Sequence, residues 1–411
     1  MGARGNSFPR PFRAMSIRGW CPTLFEPMAS GDGLLLRVKP RAARLSATQA
    51  RALAEAAARY GNGWLDLTGR ANIQIRGLRP GTVEPFTRAM LEAGLASPDP
   101  GVERRRNLIA PPLLGADPAI PESAGAWLAT LETLLADAAL AALPAKFGLL
   151  LDAGGALPLT GVEADLMLRL TPGGAEIHLP GTPLRARGAT PSTVAALLHA
   201  FLATPGARRM RDAVQSAGAA TLFAVAGLRA EPAPPLSSPP QPIGFHALGS
   251  HGALGLGIPF GALPTAILAR LAELAERHGD GTLRLTPWRA VLLPGLTDPA
   301  PILAATTGLI TDPADPRLRL RACPGATGCA SGLADTRADA DALLGMGALP
   351  RAGLLHLSGC AKGCAHPAPA AATLVAQAEG RYALIRQGRA GDPPARTGLT
   401  LAEAAAELEE P

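Results

Sequence analysis

LAEAAARYGNGWLDLTGRANIQIRGL, residues 53–78, and LAELAERHGDGTLRLTPWRAVLLPGL, residues 271–296, align without a gap, and 12 of the 26 positions are identical. Compositional chance between two alanine- and leucine-rich helices gives far fewer matches, so the chain contains an internal duplication. Each copy has the same local logic. An apolar stretch (GDGLLLRVKP, residues 31–40; GALGLGIPFG, residues 252–261) precedes a helix with apolar residues at three- and four-residue spacing. A glycine-containing turn and an alternating strand follow. In the first copy that strand is read over residues 64–75, with Leu65, Leu67, Ile73 and Ile75 as its apolar members. This is a small α+β unit used twice.

Working outward, residues 229–242 (RAEPAPPLSSPPQP) are too proline-rich for a helix or a central strand and read as a linker between the halves. The chain then divides into an arm at 1–17, a first half-domain at 18–80, a larger α/β segment at 81–228, the linker at 229–242, a second half-domain at 243–296, a second larger segment at 297–390 and a tail at 391–411. Related halves pack about a pseudo-two-fold axis, and loops from both can reach a ligand between them.

The 411 residues are 47% hydrophobic, enough for a sizeable core. No apolar run is long enough for a membrane helix, and the basic N-terminus lacks the apolar core of a secretory signal, so a cytoplasmic protein is expected. The net charge of +6 is carried almost wholly by arginine, and aromatics make up 4% of the chain. Without a basic block interleaved with aromatics, nucleic-acid binding is not expected. The three lysines are Lys39, Lys146 and Lys362, and they fall inside motifs described below.

Four of the five cysteines fall in two short glycine-rich loops: RACPGATGCASG, residues 321–332, and LSGCAKGCAHP, residues 357–367. Cys323 and Cys329 are spaced C-x5-C, Cys360 and Cys364 C-x3-C. Disulfides do not suit a protein without signs of secretion. Structural zinc remains open, although its pairs usually sit two to four residues apart. A 4Fe-4S cluster fits better: it needs four converging thiolates and small neighbours, and Gly325, Gly328, Gly359 and Gly363 supply them. Cys21, alone before Pro22, reads as a buried structural thiol.

The two cysteine pairs, with the duplication, resemble the cluster motif of the sirohaem-dependent nitrite and sulfite reductases. LTGRANIQIRG (residues 67–77) resembles that family's T-x-R-x-N-x-Q segment, RRNLIAPPLLGADP (105–118) its R-N segment, LPAKFGLLLDAGG (143–155) its L-P-x-K-F segment and GLLLRVKP (33–40) its first arginine-bearing strand. The resemblance implies an α+β fold with ferredoxin-like half-domains and two larger α/β segments about a pseudo-two-fold axis. It also implies a 4Fe-4S cluster on Cys323, Cys329, Cys360 and Cys364, the last bridging to sirohaem in the reductases. Arg37, Arg70, Arg106 and Lys146 become the cationic lining of a tetrapyrrole pocket, where arginine forks suit the macrocycle's carboxylates. Any one of these cations alone would more often be a solvated strand residue; four in matching motifs shift the reading. Asn72 and Gln74 are further candidates, and the alternative for each is an ordinary strand residue.

Two departures point within the family. Gly148 stands where the reductases' K-F-K element has its second lysine. RGWCPTLFEPMASGDGLLLR (residues 18–37) and RLTPWRAVLL (284–293) resemble the precorrin-3B synthases, the oxygen-dependent cobalamin-pathway branch. That branch implies a monooxygenase: O2 hydroxylates a meso carbon of precorrin-3A and a ring A acetate closes a γ-lactone, with precorrin-3A as substrate where the reductases hold sirohaem. No G-x-G-x-x-G follows a strand, so NADH-derived electrons are expected from an external donor. The branch further implies a mononuclear non-haem iron, for which His246 and His366 are candidates, although a histidine beside a glycine turn is more often a hydrogen-bonded loop residue. The alternatives are a sirohaem nitrite or sulfite reductase and a non-catalytic tetrapyrrole carrier.

Overall fold

The structure, a computed structural model, describes residues 21–235 and 237–409. The arm expected at 1–17 lies outside them. The duplication is visible element by element. The first copy runs through strands Met28–Ser30 and Gly33–Val38, helix Ala47–Tyr60, and strands Trp64–Leu67 and Ile73–Leu78. The second runs through Gly244–Leu248, His251–Gly257, helix Thr265–His278, Thr282–Leu285 and Ala290–Leu296. The first helix starts at a capping box: the Ser46 hydroxyl accepts from the Gln49 amide at 3.1 Å and the Gln49 side chain accepts from the Ser46 amide at 3.0 Å. Its apolar stripe of Ala50, Leu53, Ala54 and Ala57 is buried against the second helix, whose Leu271, Ala272 and Ala275 are equally buried.

The strand expected over residues 64–75 is a hairpin, Trp64–Leu67 and Ile73–Leu78. Thr68 breaks it: its hydroxyl accepts from the amides of Arg70 and Asn72 at 3.3 and 3.1 Å, and Ala71 sits at φ 53°. Thr286 does the same in the second copy, bonding both the amide and the carbonyl of Ala290, with Arg289 at φ 60°. A side-chain oxygen that closes the turn thus stands at one of the identical positions of the repeat.

The halves also exchange an edge strand. Arg44–Ser46 leaves the first copy and pairs with Thr282–Leu285, and Ala262–Pro264 pairs with Trp64–Leu67. The exchange is reciprocal: the Ala47 amide donates to the Gly281 carbonyl at 2.9 Å and the Thr265 amide to the Gly63 carbonyl at 3.0 Å. Such isologous pairing is what a two-fold relation requires. Two stretches separated in sequence therefore share one core, in which Leu36, Ile73, Leu254 and Val291 are buried together.

A third, six-stranded sheet spans Leu108–Ile109 to Ala230–Pro232 and carries helices Ser123–Ala136, Pro191–Ala203, Met210–Ala217 and Ala219–Val225. The start of the proline-rich stretch is its outermost strand, where a missing amide costs no ladder bond. The fourth sheet has the order Leu320–Ala322, Leu355–Ser358, Ala370–Ala376, Tyr382–Gly388 and Arg396–Leu399, and its first three strands are parallel. The tail expected at 391–411 is, over its described residues 391–409, part of the fourth sheet's unit: these supply the last of its strands and helix Leu401–Glu409, whose Ala404 and Leu408 join the core of the sheet. Among the described residues no helix is long and apolar enough to cross a membrane.

Candidate functional site

Two adjacent parallel strands bring the cysteine loops together. Leu320–Ala322 ends directly before Cys323 and Leu355–Ser358 ends two residues before Cys360, so both loops leave the same end of the sheet. Ligands of open α/β sheets commonly sit in the crevice outside that end. The loops interlock: the Leu333 amide donates to the Gly359 carbonyl at 3.0 Å, Lys362 Nζ to Ser331 Oγ at 3.1 Å, and the Gly359 amide to Cys323 Sγ at 3.2 Å. The approach depends on glycine. A Cβ on Gly332 would lie 2.3 Å from the Gly325 carbonyl carbon, and one on Gly359 would lie 3.1 Å from Gly325 Cα.

Cys323, Cys329, Cys360 and Cys364 all line one cavity of about 360 Å³. Burial raises the Cys360 and Cys364 thiols above their ordinary pKa, and the neighbouring cysteines add to the effect. Four thiolates facing one space repel one another, so a cationic metal group between them would relieve a real cost. A single zinc ion would bring its sulfurs to within about 4 Å of one another. The four thiols on one cavity, the amide bonded to Cys323 Sγ and the glycine-lined walls are features that suit an iron–sulfur cluster.

Among the described residues, five cations, Arg37, Arg76, Arg289, Arg337 and Lys362, line the same cavity, and Asp66 is its one carboxylate. Asp66 is already engaged, 2.6 Å from Arg337 and 3.6 Å from Arg76. Burial and the neighbouring Arg321 lower Arg289 to a pKa of about 10, still charged at neutral pH. The cavity is therefore built for an anionic occupant.

Of the cations anticipated from sequence, Arg37 lines this cavity, directly across the sheet from Gln74, whose Oε1 accepts from Arg37 Nη2 at 2.8 Å. Arg70 and Asn72 lie in a small neighbouring pocket with Asn107 and Asp165, and Arg70 Nη2 donates to the Lys146 carbonyl at 3.3 Å. Arg106 lines a separate cavity of about 300 Å³ beside Lys39. Of these, Arg37 lines the cavity of the thiols, while Arg70 and Arg106 line other pockets. Arg76, Arg289 and Arg337 were missed. Arg76 was legible, since Gln74 and Arg76 alternate with Ile73 and Ile75 along one strand.

The iron candidates do not assemble. His246 Nε2 lies 3.4 Å from the Pro242 carbonyl and His366 Nε2 3.3 Å from the Pro369 carbonyl, and neither joins a group of three metal-binding side chains among the described residues. Sequence reading also passed over the role of His356. It is fully buried with both ring nitrogens unpartnered, its ring centroid 5.8 Å from that of His366. Cys21 is buried.

Known proteins share both the sequence and the fold. Residues 26–93 and 248–300 match the model of the nitrite/sulfite reductase ferredoxin-like half domain. A precorrin-3B synthase from Sinorhizobium sp is 33% identical over 92% of this chain and 84% of its own length. A ferredoxin–nitrite reductase from Synechococcus elongatus is 26% identical over 85% of this chain and 77% of its own. The structure of the Mycobacterium tuberculosis NirA protein superposes with a TM-score of 0.69 at 19% identity, covering 91% of this chain and 79% of that one, a likeness of fold.

Proposed function

The chain belongs to the nitrite/sulfite reductase family as a homologue of precorrin-3B synthase, and from that premise we propose that it is itself a precorrin-3B synthase. It would convert precorrin-3A to precorrin-3B with O2 and with electrons from an external NADH-dependent donor, in the cytoplasm. The observation that carries this reading is the cavity in which four cysteines meet five cations and one engaged carboxylate. A carboxylate-rich macrocycle and an iron–sulfur cluster are the two occupants such a lining suits.

Cys323, Cys329, Cys360 and Cys364 would hold the 4Fe-4S cluster, which when bound supplies one-electron transfer to the adjoining site. The chain's own residues bind and orient. Arg37, fixed by Gln74, offers its fork to a substrate carboxylate. Arg70 and the Lys146 backbone form the adjoining wall. Phe260, Leu35 and Leu67 give the cavity apolar surface for a macrocycle face and limit the entry of water. The expected mononuclear iron has no ligand set among the described residues, so no step is assigned to it.

The test is anaerobic purification, measurement of the spectrum and of iron and sulfide, then addition of precorrin-3A with O2 and a reductant. A product heavier by one oxygen atom supports the synthase. Tightly bound sirohaem, with reduction of nitrite or sulfite by an artificial donor, would overturn it in favour of the reductase reading, which the likeness to the Synechococcus nitrite reductase keeps as second.

A further inference from the structure

Each half of the duplication sends one arginine to one of the two cysteine loops. From the first half, Arg76 Nη2 donates to the Gly328 carbonyl, next to Cys329, and to Ser30 Oγ at 2.6 Å, while Ser30 Oγ itself donates to Gly328 O at 2.8 Å. Asp32 holds the same guanidinium at 3.1 Å, and Asp66 lies 3.6 Å away. The turn that carries Ser30 presses on the loop so closely that a Cβ on Gly31 would lie 2.4 Å from the Ala330 nitrogen and 2.5 Å from the Cys329 carbonyl carbon. From the second half, Arg289 Nη2 donates to the Ala365 carbonyl, next to Cys364, at 2.8 Å, and its Nη1 is buried without a partner.

The two contacts have different origins. Arg76 lies on the strand Ile73–Leu78, whereas Arg289 lies in the turn that Thr286 closes, in the equivalent position to Ala71. The repeat supplies the frame, and unequal substitutions within it give each half an arm of its own.

We propose that Arg76 and Arg289 are positioning residues for the cluster. They fix the C-x5-C and C-x3-C loops at a spacing that one cluster can bridge, and their charges favour its reduced, more negative state. A guanidinium beside the thiolates raises a cluster's reduction potential, because net charge and hydrogen bonding near the sulfurs set that potential. A charged donor on a loop carbonyl also holds the loop closed against local opening. The inference rests on the proposed cluster.

The test uses the full chain, purified anaerobically, as wild type, R76M, R289M and R289K, with iron and sulfide content, the midpoint potential of the cluster and the rate of cluster loss in air as readouts. Both methionine variants are expected to show a more negative midpoint potential and about tenfold faster cluster loss, as expected when one charge-assisted hydrogen bond to a loop is removed. R289K is expected to restore the potential, since it keeps the charge. A methionine variant that keeps its fold by circular dichroism but holds no iron supports the inference in its strong form. Should R76M not accumulate, R289M, which lies outside the Asp32–Asp66 network, decides the question. Wild-type potential and wild-type cluster lifetime in R289M would overturn the inference and leave the functional reading standing. A wild-type protein that takes up no iron and sulfide would overturn both.

Discussion

Leu45 pairs with Leu283 across the exchanged edge of the second sheet, and both side chains are fully buried. Its counterpart is Leu263, which pairs with Leu65 in the first sheet. Because each copy completes the sheet of the other, a cavity opened at Leu45 is felt by both. Leu45→Ala is expected to cost about 2–5 kcal/mol, the range for a buried leucine, and to lower the protection of residues 64–78 and 282–296 together. Hydrogen exchange followed by mass spectrometry checks this. Loss confined to one copy would mean that the halves unfold independently.

Cys329→Ser tests the donor set. A serine hydroxyl is a poor ligand for an iron–sulfur cluster, so the variant is expected to lose most iron and sulfide while far-ultraviolet circular dichroism stays that of wild type. The core of the fourth sheet, with Leu320, Leu357 and Leu374, is complete without the loop. Zinc in the wild-type protein, with no sulfide, would remove the cluster from the reading.

The repeat made the half-domains legible because their identical positions are structural. Gly63 and Gly281 sit at φ 80° and 75°, and Thr68 and Thr286 close the same turn. The cysteine site was legible from spacing and small neighbours. The strand exchange was not, because Arg44–Ser46 and Ala262–Pro264 are three residues long and their sequence does not say which sheet they join. The tail range was assigned without reading the pattern of LAEAAAELE, residues 401–409, whose Ala404, Ala405 and Leu408 pack on the fourth sheet. The pocket cations were read from motifs, and motifs do not carry direction: Arg37 and Arg106 resemble the family equally well, and the fold points them into different cavities.

That divergence can be measured. Arg37→Met is expected to weaken binding of a metal-free, carboxylate-rich tetrapyrrole by about tenfold to a hundredfold, the worth of one charged hydrogen bond, with the cluster's iron content unchanged. Arg106→Met is expected to cost clearly less, since Arg106 bonds the Lys39 carbonyl and lies 3.3 Å from Glu103 in a cavity without thiols. Fluorescence titration gives both constants. Equal losses would support the expectation that the two arginines grip one ligand.

His356 gives the fourth sheet a pH response of known sign. Burial, then the nearby His366 and Arg289, lowers its pKa to about 4 from an ordinary 6.5. Between those values the unfolded chain takes up a proton that the folded chain refuses, so the unfolded state binds more protons and stability falls as pH drops from about 6.5 to about 4. Above 6.5 both states are neutral and the contribution is level; below 4 both are charged and the penalty is complete. Each tenfold change in proton affinity is worth about 1.4 kcal/mol, so the full penalty is a few kcal/mol. Since neither ring nitrogen has a partner, leucine removes two unsatisfied polar atoms from the interior. His356→Leu is therefore expected to be no less stable than wild type at pH 7 and to show a shallower loss of stability between pH 6.5 and 4, measured by urea unfolding at each pH. A variant destabilised at pH 7, with the acid slope of wild type, would show that the imidazole is hydrogen-bonded in the folded protein.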